Sequence, residues 1–209
     1  ITDDKLNLII SGRIPLNYYI GIDLAFGEHK RRDWCAFVVV ATDADNIMYV
    51  VEVIRARLDS REVVDLMLDL QAKYNPQWMV IEKGMLEKSI GPFLREEMFK
   101  RDQFIQLETI TPSVDKSERA RSIIGRVRIH GVRFFKDADW YATFETELCQ
   151  FPRGQHDDQV DAFSLIGLSL MKVINALTDA EKEEEEYEEQ KHKSGYYTDN
   201  DGRSKWTGY

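Results

Sequence analysis

The first third of the chain contains three short apolar runs separated by polar segments, a pattern typical of β-strands. These runs cover residues 18–24, 34–41 and 48–56. The segments between them contain Gly27 and the tight-turn sequence Asp43 to Asn46. Because short turns join neighbouring antiparallel strands, we predict a three-stranded antiparallel meander at the start of the fold.

The rest of the chain alternates helical periodicity with further apolar runs. A helix capped by Asp59 or Ser60 is expected to end before Pro76. Short strands are predicted at 78–82, 104–109 and 132–135, and helices at 90–100, 116–130, 139–150 and 156–177. This order predicts an α/β fold with a mixed sheet, antiparallel in strands 1–3 and parallel afterwards, with helices on both faces.

Composition limits the class of protein. Hydrophobic residues make up 43% of the 209 residues, which is enough for a real core. The sequence has no apolar run of about 18 residues and no secretory leader, so we expect no membrane partner. Cys35 and Cys149 form no disulfide framework or zinc motif, which fits a reducing cytoplasm.

The net charge of −9 is unevenly distributed along the chain. Ten acids and five bases lie between Thr178 and Tyr209, a segment with few aliphatic residues. We therefore predict a lead-in over residues 1–16, a folded domain over 17–177, and an acidic, disordered tail over 178–209.

One stretch of this acidic protein is strongly basic. The only acid between Lys116 and Lys136 is Glu118. The bases that we single out as DNA-binding candidates are Lys116, Arg119, Arg121, Arg126 and Arg128. At helical spacing, several of them share one side of a helix, which suggests a phosphate-binding face. An ordinary solvated helix is an equally good interpretation of this composition.

Five acids lie against apolar sequence, where an unpaired charge is costly. Asp23 and Glu82 end predicted strands, and Asp157, Asp158 and Asp161 open the last predicted helix. Taken singly, each has a structural explanation, such as a helix cap. Together they would meet at one edge of the sheet. A cluster of carboxylates favours Mg²⁺ or Mn²⁺, and two such ions can promote phosphodiester cleavage.

Five motifs, taken in order, resemble one known family. They lie at residues 19–27, 33–40, 80–84, 116–119 and 151–162, and the last, with Phe-Pro followed by His-Asp-Asp-x-x-Asp-Ala, is the most specific. The chain is similar to the nuclease domain of the tailed-bacteriophage large terminase subunit, in the ribonuclease H-like superfamily. The resemblance covers about residues 18–171.

This resemblance implies a metal-dependent endonuclease that cuts double-stranded DNA by two-metal hydrolysis during viral genome packaging. Asp23, Glu82 and Asp158 match the catalytic metal ligands, and Asp157 and Asp161 match flanking acids. The implied cofactors are two Mg²⁺ or Mn²⁺ ions. Asp33 is expected near the metals, and His156 is expected to hydrogen-bond a ligand acid or to be a plain turn residue. The 116–119 motif matches a basic segment ascribed to DNA contact or to the helix under the site.

The resemblance also implies partners. A large terminase carries an N-terminal packaging ATPase, but no Gly-x-x-x-x-Gly-Lys-Ser/Thr loop occurs here. Beginning at Ile1 fits an isolated nuclease domain, with residues 1–16 as a linker remnant. The portal and the small terminase subunit are further expected partners. The expected location is the host cytoplasm, and the protein would not be a structural part of the mature virion.

Other functions remain open at this point. A Holliday-junction resolvase of the same superfamily also ends with acids three residues apart on its last helix. A non-catalytic module could use the same fold to bind DNA or the portal. A nucleotide-binding module is suggested by the run from Gly21 to Leu24, although a second phosphate loop is missing.

Overall fold

The computed structural model describes residues 15–24, 34–85, 90–111, 116–129 and 131–172, together with 196–198 and 204–206. The chain divides into two compact units, Ile1–Ser169 and Leu170–Tyr209. In the described part of the chain, no helix is long and apolar enough to cross a membrane.

The first unit is built on a six-stranded sheet with strand order β5-β4-β1-β2-β3-β6. The strands are β1 (Asn17–Asp23), β2 (Cys35–Thr42), β3 (Met48–Ala56), β4 (Trp78–Glu82), β5 (Leu107–Ile110) and β6 (Val132–Phe134). Strands β1, β2 and β3 pair antiparallel, whereas β4, β5 and β6 join by parallel pairing. The predicted mixed sheet is therefore confirmed.

The described residues also contain five helices and one helical turn. The helices are α1 (Ser60–Tyr74), α2 (Gly91–Arg101), α3 (Lys116–Arg128), α4 (Tyr141–Gln150) and α5, whose described part covers residues 158–172. Of these, α1, α2 and α3 lie between strands of the sheet, and α4 and α5 follow β6. Lys83–Met85 forms the short turn after β4. Asp59 caps α1, because its carboxylate accepts from the main-chain N–H groups of Arg61 and Glu62 while Glu62 bonds back to the Asp59 N–H.

Helices cover both faces of the sheet, as predicted. On one face, Ile20, Ile22 and Phe37 belong to a buried cluster that includes residues of α1 and α2. Successive strand residues point to opposite faces, so Gly21 lies on the other face. There a Cβ atom at Gly21 would overlap the Ala162 main-chain oxygen of α5. Only glycine allows α5 to approach β1 this closely, and the first turns of α5 are thereby held over the sheet.

The second unit contains a short antiparallel hairpin, Tyr196–Thr198 with Ser204–Trp206. Tyr196 lies directly across from Trp206, so two of the aromatic residues in this polar segment are cross-strand neighbours. This hairpin falls within the segment predicted to be disordered. The rest of that prediction, and the predicted helix beyond residue 172, lie outside the described residues.

Candidate active site

The carboxyl ends of β1 and β4 place two predicted metal ligands side by side. These strands are parallel neighbours, with Ile22 opposite Ile81, so Asp23 and Glu82 follow at the next position of each strand. Asp23 is also paired with Ala36 across β2. Residues opposite each other in a sheet share a face, so both carboxylates extend from the face that α5 covers.

The amino end of α5 brings the second group of acids to this face. The Asp157 carbonyl accepts the first hydrogen bond of the helix, from the Asp161 N–H at 2.8 Å. Asp157 is therefore the N-cap residue, Asp158 is in the first turn, and Asp161 follows one turn later. The Asp161 residue is only 7% exposed. The prediction that one of the acids caps this helix agrees with this geometry.

A half-buried arginine of α3 lies between the two groups of acids. Arg119 Nη1 is 3.7 Å from Glu82 Oε2, and Nη2 is 3.6 Å from Asp161 Oδ1. The Arg119 side chain is 11% exposed, and its Nε has no hydrogen-bond partner among the described residues. The resemblance associates Arg119 with DNA contact or with the helix under the site, and the structure places its guanidinium beside the acids of β4 and α5.

A second arginine, which the sequence did not single out, holds Asp158. Arg55 Nη2 donates to Asp158 Oδ2 at 2.9 Å, and the two side chains are 15% and 19% exposed. Arg55 lies opposite Ala36, in the same row across the sheet as Asp23. Its guanidinium also stacks on Trp34, 4.6 Å from the ring centroid, and Arg57 stacks on the same ring at 4.6 Å.

The remaining predicted residues have different environments. Arg121 and Arg128 are exposed, whereas Arg126 is half-buried. His156 is exposed and lines a cleft with Arg55. Asp33 and the side chain of Lys116 lie outside the described residues.

A buried glutamate that sequence reasoning missed organises the start of α5. Glu147 of α4 is 5% exposed. Its Oε1 accepts from the main-chain N–H groups of Gln159 at 2.6 Å and Val160 at 3.1 Å, and Oε2 accepts from the Gln159 side chain at 2.6 Å. The first N–H groups of a helix have no partner within the helix, so a carboxylate from α4 completes this turn.

The chemistry of the acids fits a hard cation. All five candidate ligands, Asp23, Glu82, Asp157, Asp158 and Asp161, offer only oxygen atoms. In the described part of the chain, no three His, Cys, Asp or Glu side chains form a group that could hold a metal ion. Glu82, Asp158 and Asp161 instead pair with guanidinium groups, which supply positive charge at this edge. Arginine side chains thus provide the positive charge next to three of the five candidate acids.

The comparisons with known proteins identify the family of this chain. The model of the terminase RNaseH-like domain family matches residues 20–170. This range includes every described element from β1 to α5, apart from the first residues of β1 and the last residues of α5. The chain belongs to this family. No curated protein matches the chain in sequence.

Solved structures of large terminase nucleases share the fold of this terminase domain. The zinc-bound nuclease of thermophilic phage G20c is 21% identical, with 72% of this chain and 80% of that one covered and a TM-score of 0.52. Its magnesium-bound form is 20% identical, with 73% and 81% covered and a TM-score of 0.52. The nuclease domain of Thermus phage P74-26 is 21% identical, with 72% and 77% covered and a TM-score of 0.51.

The sequence held weak signals for the residues that were missed. Trp34 precedes β2, Arg55 is the last residue but one of β3, and Arg57 follows β3. None of the three stands out in a strand pattern. Glu147 is one of two acids in an ordinary amphipathic helix. Their roles depend on contacts between α4, α5 and the sheet.

Proposed function

We propose that this terminase domain is a divalent-metal-dependent endonuclease that hydrolyses double-stranded DNA during phage genome packaging. One observation carries the proposal above all: Asp23 and Glu82 lie side by side at the end of two parallel strands, on the face where α5 presents Asp158 and Asp161. Acids held this close to apolar packing need positive charge beside them, which Arg55 and Arg119 supply in this structure and which bound cations would supply in a nuclease.

Asp23, Glu82 and Asp158 would hold two Mg²⁺ or Mn²⁺ ions, with Asp157 or Asp161 completing the oxygen ligands. When bound, the cations stabilise charge on the attacking and leaving oxygens of the phosphodiester. The protein supplies fixed ligands on rigid elements. The backbone of β1 and β4 sets the spacing of Asp23 and Glu82, and the Glu147 cap sets the position of the first turn of α5.

The arginines have separate tasks in this proposal. Arg119 and Arg55 balance the carboxylate charge before cations arrive, since three buried or half-buried acids would otherwise face one another. Arg121 and Arg128 are exposed on α3 and provide charge for the sugar-phosphate backbone. Such contacts do not read sequence, which fits cutting with little sequence preference.

The partners follow from the same proposal. Double-stranded DNA is the substrate, and an N-terminal packaging ATPase of the full-length protein would deliver it. The portal and the small terminase subunit would contact the assembled complex in the host cytoplasm.

A plasmid-nicking assay with Mg²⁺, Mn²⁺, Ca²⁺ or a chelator tests the function. We expect cutting with Mg²⁺ or Mn²⁺, no cutting with chelator, and loss of cutting in Asp23→Asn with folding intact or improved. Asp45→Asn is the matched control, because Asp45 is exposed in the β2–β3 turn at the other end of the sheet. Wild-type cutting by Asp23→Asn would refute the site. Strong preference for a four-way junction over linear duplex would favour a resolvase instead.

A further inference from the structure

A polar cleft lies beside the acids, on the side of Arg55. It has a volume of about 410 Å³ and is formed by the end of β3, one side of α4 and the connection from α4 to α5. The side chains that matter for its chemistry are those of Arg55, Thr143, Thr146, Gln150, Gln155 and His156. Hydroxyl, amide, imidazole and guanidinium groups are all hydrogen-bond donors, which is the composition expected of a site for an oxyanion.

Among the described lining residues of the cleft, the guanidinium group belongs to Arg55, which is paired with Asp158 in this structure. Glu147 is the one acid among the described lining residues, but both of its carboxylate oxygens accept hydrogen bonds from the start of α5. Its negative charge is thus compensated by main-chain and side-chain donors. The guanidinium of Arg55 remains as the cationic group of the cleft.

Arg55 is oriented in advance for such a role. Stacking on Trp34 fixes the plane of the guanidinium, and its one hydrogen bond within the described residues goes to Asp158. Its Nε is buried without a hydrogen-bond partner there. A guanidinium carries five N–H donors in a planar fork that matches the oxygens of a phosphate. With Nε buried and one Nη2 N–H donated to Asp158, the two N–H groups of Nη1 and the second N–H of Nη2 remain for a ligand.

We infer that this cleft binds a phosphate of the DNA backbone, with Arg55 as its anchor, next to the bond that the acids would cleave. The inference rests on the proposed nuclease function and extends it, because it adds a contact on the side of the acids away from Arg119. Arg55 would exchange Asp158 for the phosphate. Asp158 would then be released to a cation, so DNA binding and cation binding strengthen each other.

The sharpest test adds one negative charge to the cleft without touching Arg55. Thr143 is exposed on α4, so Thr143→Glu and Thr143→Gln are expected to fold equally well and differ essentially in charge. Binding of a short fluorescent duplex is measured by anisotropy in chelator, where no cutting occurs. We expect Thr143→Glu to bind the duplex about tenfold more weakly than Thr143→Gln, because the two variants differ essentially in one negative charge.

A second pair of variants tests Arg55 itself. Arg55→Gln and Lys73→Gln each remove one positive charge, but Lys73 pairs with Glu52 on the opposite face of β3. We expect Arg55→Gln alone to weaken duplex binding, to reduce the slope of log affinity against log salt by about 1, and to weaken the effect of DNA on Ca²⁺ affinity. Arg55→Lys should restore part of the affinity, because it keeps the charge but loses the planar fork.

The outcomes separate the cleft from the nuclease function. If Thr143→Glu binds DNA like Thr143→Gln while the wild type binds and cuts, the cleft proposal is overturned and the function stands. If the wild type neither binds nor cuts duplex, both fall. Should Arg55→Gln melt far below the wild type, the Thr143 pair decides the question.

Discussion

The Glu147 carboxylate joins α4 to the acid-bearing helix α5, and its removal gives the most quantitative prediction. In Glu147→Ala, the main-chain N–H groups of Gln159 and Val160 lose their acceptor. Both residues are only 2% exposed, so water cannot readily replace it. Leaving a buried donor unsatisfied costs about 1–3 kcal/mol. Two such donors, both bonded to a charged group, place the expected loss of unfolding free energy at about 3 kcal/mol.

Glu147→Gln should cost less, about 1–2 kcal/mol, because its carbonyl oxygen can still accept from one main-chain N–H. Its NH₂ group, however, would face the donor amide of Gln159. For a domain of this size each kcal/mol shifts the melting temperature by about 2–4 °C, so Glu147→Ala should melt about 6–12 °C below wild type.

Urea unfolding followed by circular dichroism measures the free energy, and hydrogen exchange locates the effect. Protection should fall first at the amides of Gln159 and Val160. Glu145→Ala is the control on the same helix, since Glu145 is exposed and bonds only to the Tyr141 hydroxyl among the described contacts, at 2.6 Å. A Glu147→Ala variant as stable as Glu145→Ala, with exchange at Gln159 unchanged, would refute the capping role.

Three further predictions follow from the geometry. Gly21→Ala should destabilise the domain by about 3 kcal/mol or more, measured by urea unfolding, because its Cβ would overlap the Ala162 carbonyl and push α5 off the sheet; a loss below 1 kcal/mol would disprove this close packing. Arg119→Gln should lower the melting temperature in chelator. Adding Mg²⁺ should then raise the melting temperature more for this variant than for the wild type, because the cation replaces the lost positive charge. An equal rise in both proteins would contradict the role of Arg119. Burial, and then the hydrogen bond to Glu52, raise the pKa of Tyr74 to about 12. The stability that the protonated Tyr74 hydroxyl contributes is complete below pH 10, its ordinary pKa, and is lost as the pH rises through 12. An alkaline absorbance titration follows the ionisation of tyrosine, and the step near pH 12 should shrink in Tyr74→Phe. An unchanged step in that variant would contradict the prediction.

Most of the sheet was predictable because most strands are apolar runs that can be recognised from the local sequence. The predicted strands at 48–56 and 78–82 coincide with β3 and β4, since both are apolar runs bounded by turn residues or by a helix cap. The prediction at 104–109 was less accurate, because β5 begins only at Leu107. Phe104 is 56% exposed and packs against Phe99 of α2 instead of joining the sheet. The apolar run alone does not distinguish these two uses of a phenylalanine.

The candidate acids were also predictable, because strand ends and helix starts are the places where topology concentrates functional groups. Asp23 and Glu82 end neighbouring parallel strands, and parallel strands present their carboxyl ends at one edge. The basic helix was harder to interpret. Of its candidate DNA-binding residues, Arg121 and Arg128 face solvent, whereas Arg119 points to the acids. Helical spacing gives the side of a helix, but the packing of α3 decides which side is buried.

The sequence by itself determined the order of elements, the mixed sheet, and the acids that end β1, end β4 and begin α5. These features follow from local periodicity, from capping, and from motifs whose residues are close in the chain. Only the tertiary structure decided the partners of those acids. Arg55 and Asp158 are 103 residues apart, and Glu147 reaches α5 across the α4–α5 connection. Such contacts form only when α5 packs against β1 at Gly21. They join side chains of elements that are distant in the sequence, and this packing leaves no local pattern from which it could be predicted.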